Sequence, residues 1–130
     1  MKPETEKALA KSARDLADAD KMMSVGLHEA AARNAYMAAF YAAQAMIFEI
    51  SGKVTKTHKG VHAEFARLTK DDPSFGAELR GFLSRAYNYK SFADYDDGPF
   101  SEVTKSNSEA ALTASRDFIN AVTSIITRSA

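Results

Sequence analysis

The feature that most restricts this chain is the uncharged run NAYMAAFYAAQAMIF, from Asn34 to Phe48. Alanine favours helix, and its small side chain lets neighbouring helices approach closely. Tyr36, Met37, Phe40, Tyr41, Met46, Ile47 and Phe48 add an apolar surface too broad for a helix lying on the outside of a domain. The run is shorter than the ~20 residues a membrane span needs, and it holds Asn34 and Gln44. It reads as a central helix from about Leu27 to Ser51, touching several partners and ended by Gly52.

Helical periodicity continues through most of the remaining sequence, and strand alternation is almost absent. A first helix is predicted over about Glu4 to Ser24, with Leu9, Ala13, Leu16, Asp20 and Met23 on one stripe that only Asp20 interrupts. Gly26 suits the left-handed position that closes it. A short third helix, about Thr57 to Lys70, carries Val61, Phe65 and Leu68. Asp72 as cap and Pro73 as first residue predict a fourth helix reaching about Asp94, striped by Phe75, Leu79, Phe82, Ala86, Tyr89 and Ala93. Asp96 to Ser108 is polar and reads as the longest loop. A last helix spans about Ser108 to Arg128. The expectation is all-α: one domain, residues 1–130, built as an up-and-down bundle of four long helices plus one short helix.

Charge excludes some functions. Lys+Arg and Asp+Glu both total 17, so no overall basic footprint marks a nucleic-acid binder, and any RNA contact must be local. The absence of cysteine removes disulfides and thiolate metal sites. The charged N-terminus lacks the apolar core of a signal peptide, which makes the cytoplasm the default expectation. No phosphate loop, serine-nucleophile motif or dinucleotide fingerprint occurs. His58 and His62 are four residues apart and can share a helix face. HKGVH lacks the glutamate of a zinc-hydrolase helix, so solvent-exposed or capping histidines are expected, with no metal and no cofactor.

Two stretches carry candidate sites. KVTKTHKG gathers Lys53, Lys56, His58 and Lys59 around the start of the third helix. Positive side chains there oppose the helix dipole, so the stretch is either an anion-attracting corner or a solvated loop. YNYKSFADYDD, from Tyr87 to Asp97, packs three tyrosines, one lysine and three aspartates into the end of the fourth helix. Tyr87, Lys90 and Asp94 follow three- and four-residue steps and share a face. Tyrosine at such an edge offers a flat apolar body with a polar tip, as at interfaces.

ARNAYMAAFYAAQAMIFEISGKVTKTHKGVHAEF resembles the second and third helices of HEPN domains, in their small stand-alone prokaryotic branch. FLSRAYNYKSFADYDD is similar to that branch's next feature, a helix ending in an arginine, a spacer and Asp-Tyr-Asp. The resemblance implies a bundle of four or five helices, often a homodimer. It implies either a metal-independent ribonuclease with an arginine followed four to six residues later by histidine, or a partner of a minimal nucleotidyltransferase. Aligned on Asp94-Tyr95-Asp96, the family arginine falls on Lys90, and the nuclease histidine falls near Asp94 or Tyr95. None of the seven arginines is followed by histidine at that separation. Aspartate and tyrosine have ordinary pKa values of ~3.9 and ~10, far from the neutrality that suits histidine to proton transfer. Lysine cannot reproduce arginine's two-pronged hydrogen bonding.

The reading is therefore a HEPN-like binding or regulatory partner, in a toxin–antitoxin-like pair with a minimal nucleotidyltransferase, with little or no nuclease activity. Lys56, His58, Lys59, Tyr87, Lys90, Asp94 and Tyr95 are its candidate nucleotide-, anion- or partner-binding residues. RNA or a nucleotide is a further candidate ligand, and no membrane is involved. The alternative is a divergent metal-independent ribonuclease, with Lys90 on phosphate and Asp94 or Tyr95 handling protons.

Overall fold

A computed structural model describes the backbone of residues 1–95 and 103–130 and the side chains of residues 1–88 and 103–130. Among the described residues there are five helices: α1 (Pro3–Ser24), α2 (His28–Ser51), α3 (His58–Thr69), α4 (Ala77–Tyr95) and α5 (Lys105–Ser129). The all-α bundle expected from sequence is present. None of these helices is long and apolar enough to cross a membrane.

Helix α2 is the hub, touching each of the other four helices. Ala31, Ala32, Ala35, Ala38, Ala39, Ala42, Ala43 and Ala45 are all buried along it. Its neighbours on two sides meet it with small polar residues that bond to its backbone. Ser12 of α1 donates its hydroxyl to the Ala38 carbonyl at 2.7 Å. From α5, Ser115 donates to the Ala35 carbonyl at 2.7 Å and Ser108 to the His28 carbonyl at 2.5 Å. A serine reaches a carbonyl on a facing helix only when the two backbones lie close, and alanine leaves room for that approach.

This close packing turns α1 away from its predicted orientation. The buried positions are Thr5, Ser12 and Ala19, flanked by half-buried Leu9, Leu16 and Met23, while Ala13 and Asp20 are exposed. The smallest residues of α1, not its largest, take the line of closest approach to the alanine surface. Asp20 pairs across the surface with Arg116 of α5. The larger side chains fill the other side of α2, where Phe65, Phe75, Phe82 and Phe118 converge. Phe118 lies 5.0 Å from Phe65 and 5.4 Å from Phe82, centroid to centroid.

The element ends differ from the sequence expectation in two places. Asp72 and Pro73 do not open α4. Asp72 instead accepts from the Ser74 amide at 2.8 Å through its carboxylate, and from the Phe75 amide at 3.1 Å through its carbonyl. This is the local turn that Asp, Pro and Ser favour. Phe75 still enters the core, from that turn rather than from a helix. The Arg80 amide bonds to the Gly76 carbonyl, so α4 starts just beyond a residue that costs entropy inside a helix. At the other end, Thr104 caps α5 by accepting from the Asn107 amide at 3.0 Å, so residues 105–108 are helical and not loop. Residues 103 and 104 are not helical, as expected of the loop, and its remainder, 96–102, lies outside the described residues.

Candidate functional site

Tyr36 is fully buried in the N-terminal half of α2. A buried phenol must find a hydrogen-bond partner. Its hydroxyl has two, both from α3: His58 Nδ1 at 2.6 Å and His62 Nε2 at 2.8 Å. The four-residue spacing of the histidines lets two rings on successive turns of α3 reach one oxygen. Tyr87 of α4 closes the group, with its ring 5.5 Å from Tyr36, 5.1 Å from His58 and 5.8 Å from His62. Phe40 packs against His58 from below at 4.5 Å.

The cluster forms one wall of an open cleft of about 470 Å³ between α3 and α4, lined by His58, Lys59, His62, Ala63, Ala66, Ser84 and Tyr87. Alanine and serine on the facing surfaces keep the space open. Burial is the main cause that pushes the Tyr36 hydroxyl well above the usual phenol range, and nearby Tyr87 adds to it. The phenol therefore keeps its proton. Burial also pushes His62 below 6.5, helped by the adjacent His58. A neutral imidazole beside a lysine can bind a ligand or exchange a proton near neutrality.

The start of α3 is held in place by its own chemistry. Thr57 caps it by accepting from the Gly60 amide at 3.0 Å. A side chain at Gly60 would meet the Thr57 hydroxyl at 2.7 Å, so glycine is what permits the cap. Gln44, polar within the apolar run, donates to the Thr55 carbonyl at 2.7 Å and ties the preceding loop to α2.

Of the sequence-predicted residues, the structure brings His58, Lys59 and Tyr87 together in the cleft. Lys56 is exposed and is not part of its wall, and Lys53 reaches Glu64 at 3.5 Å. The basic stretch is thus divided rather than gathered. The backbone of α4 is helical through Tyr95, which keeps Tyr87, Lys90 and Asp94 in helical register. The side chains of Lys90, Asp94 and Tyr95 lie outside the described residues. The histidines are not merely exposed or capping residues, as the sequence suggested, because both are half-buried and anchored on Tyr36. Sequence reasoning missed His62 and Tyr36 as site residues. The usable signal was a tyrosine inside a buried run, with a histidine pair one helix away. Arg85, beside Ser84, turns to the other side of α4, where it donates to the Glu78 carbonyl at 2.6 Å.

Comparison with known proteins agrees with this architecture. A protein of Methanocaldococcus jannaschii named as a putative toxin is 29% identical over 121 residues, covering 92% of this chain and 79% of that protein. A UPF0332 protein of Archaeoglobus fulgidus is 34% identical over 108 residues, covering 78% of each. The HEPN domain model matches residues 5–125, a span that includes the described helices except the first residues of α1 and the last turn of α5. The chain belongs to the HEPN domain family.

Proposed function

We propose that this HEPN protein is a binding and regulatory partner in a toxin–antitoxin-like pair, with a minimal nucleotidyltransferase as its counterpart. In this reading it works in the cytoplasm as a homodimer, and the α3–α4 cleft receives a nucleotide or a nucleotide-bearing partner. The observation that carries the reading is the makeup of the cleft wall: imidazoles pinned by a buried hydroxyl, a tyrosine ring and Lys59, with Arg85 folded away onto Glu78. Such a wall can receive a flat base and a phosphate. Among the described residues it presents no guanidinium to brace the charge of a phosphoryl transition state. The naming of the Methanocaldococcus relative as a putative toxin supports the same setting.

Co-expression with the product of the neighbouring gene, expected in this reading to be a minimal nucleotidyltransferase, tests this. The expected result is a stable complex, lost in a folded Lys59→Ala, Tyr87→Ala double variant. A well-folded wild type that fails to co-purify counts against the reading.

A metal-independent ribonuclease is the second reading, favoured by one observation. The bridged histidines supply near-neutral proton-transfer groups that the spacing after the arginines does not. RNA cleavage in chelator, compared between wild type, His62→Ala and a Lys90→Ala, Asp94→Ala variant, separates the two. Cleavage by wild type that either folded variant loses would displace the partner reading.

A further inference from the structure

The α3–α4 cleft has two unlike ends. Among the described residues that line it, Lys59 is the only lysine, arginine, aspartate or glutamate. It lies in the first turn of α3, where the partial positive charge of the helix dipole adds to its own. The single acid of α3, Glu64, is outside the lining and is paired with Lys53 and Arg67. Ala66 lies two turns further along α3, roughly 10 Å from Lys59 at ~1.5 Å of rise per residue. Ala63 precedes it on the same face, and both alanines are exposed.

The facing helix runs the opposite way. Arg80, near the start of α4, donates to the Lys70 carbonyl just past the end of α3 at 2.9 Å. Tyr87, further along α4, packs its ring 5.1 Å from that of His58 at the start of α3. Antiparallel packing therefore places Ser84, one turn before Tyr87, toward the Ala66 end. That end is walled by two methyl groups and a hydroxyl, without a fixed charge.

We propose that the cleft seats one nucleotide in a fixed direction, with its phosphate on Lys59 and its base between Ala63, Ala66 and Ser84. This rests on reading the α3–α4 cleft as a nucleotide site, and it adds the direction and the part each end plays. A matching ligand carries an anion at one end and a flat, uncharged body at the other. A nucleotide has that layout, whereas inorganic phosphate would leave the Ala66 end to water. The volume of about 470 Å³ falls within the roughly 300–1,000 Å³ of small-molecule sites. The lysine ammonium holds the phosphate as a point charge. The alanine methyls let a ring lie close to α3, and a larger side chain there would fill its place. Ser84 can donate or accept, so its hydroxyl can meet the edge of any base without choosing among them. The same unit could arrive as a free nucleotide or as the 5′-phosphorylated end of a strand.

Titration calorimetry of the full chain with AMP, adenosine and inorganic phosphate tests the proposal, with ¹³C-labelled alanine methyls to locate the base. Wild type should bind AMP about tenfold more tightly than either fragment, the scale of one charge-assisted contact. The Ala63 and Ala66 methyl resonances should shift with AMP and adenosine and stay in place with phosphate. Lys59→Ala should weaken AMP to the level of adenosine and leave adenosine unchanged. Ala66→Leu, at an exposed position where folding is not at stake, should weaken AMP to the level of phosphate and leave phosphate unchanged. Adenosine weakened by Lys59→Ala, or phosphate weakened by Ala66→Leu, would overturn the direction while AMP binding kept the nucleotide reading standing. AMP bound with unmoved Ala63 and Ala66 resonances would overturn the base seat in the same way. A folded wild type that binds none of the three would overturn the nucleotide reading and this inference together. A 5′-phosphorylated dinucleotide separates the two sources. Affinity equal to that of AMP assigns the strand end and preference for AMP assigns the free nucleotide, with the direction upheld in both.

Discussion

At the scale of single residues, the chemistry of this chain concentrates on Tyr36 and the two histidines that share its hydroxyl. Removing that oxygen should be measurable as stability. Tyr36→Phe keeps the buried ring but leaves two imidazole nitrogens without their partner, and should lower unfolding free energy by about 1–2 kcal/mol in urea melts. His62 adds a pH dependence with a defined sign. Its folded pKa is depressed below 6.5, so as pH falls the unfolded chain takes up the proton first. Stability should therefore fall as pH drops through 6.5 and level off below the folded value of His62. In His62→Gln that component should be missing, read as a smaller loss between pH 7.5 and pH 5.5. Sequence alone delivered His58, Lys59 and Tyr87 as candidates. It did not deliver Tyr36, because hydrophobic periodicity counts a tyrosine as core and says nothing of where its hydroxyl goes. For Lys90, Asp94 and Tyr95 the helical register agrees with expectation, and their roles remain proposals.

At the scale of elements, the alanines of α2 set the spacing of the bundle. Ser12 and Ser115 sit where backbones come closest, each bonded to a carbonyl of α2. Ser12→Ala should cost about 1 kcal/mol, the net worth of one buried hydrogen bond. Ser12→Leu should cost more, about 1–3 kcal/mol, because it forces α1 off α2 in a close-packed region. Denaturant titration of the two variants distinguishes lost bonding from overpacking. At the start of α3, Thr57→Ala removes the cap on the Gly60 amide and should cost about 1 kcal/mol. The helices themselves were legible from period, proline and glycine. Their ends were less so, since Asp72 satisfies a turn as readily as a helix, and Thr104 is a cap only because the chain beyond it turns helical.

At the scale of the whole molecule, stability should be graded outward from α2. It contacts every other helix, whereas α3, the shortest of the described helices, runs beside α2 and α4 and meets α5 through Phe65 on Phe118. Native-state hydrogen exchange should accordingly find the slowest amides between Ala35 and Ile47 and the fastest helical amides in α3. Equal protection of α2 and α3 would mean that the bundle opens only as a unit. The class of fold followed from the sequence because one helix was too apolar to be anything but central. The rotation of α1 did not follow, because a stripe ranked by hydrophobicity cannot reveal that small residues win the closest contact.

The burial of Tyr36 has a consequence for how such a protein diversifies. In a saturation library, most replacements at this position would be purged for poor abundance before any phenotype of the cleft could be scored. Phenylalanine is the exception, and it lies one nucleotide change from tyrosine. A lineage could thus silence the histidine pair in one mutational step while inheriting the scaffold nearly intact, leaving descendants that share an architecture and differ in whether the cleft is wired.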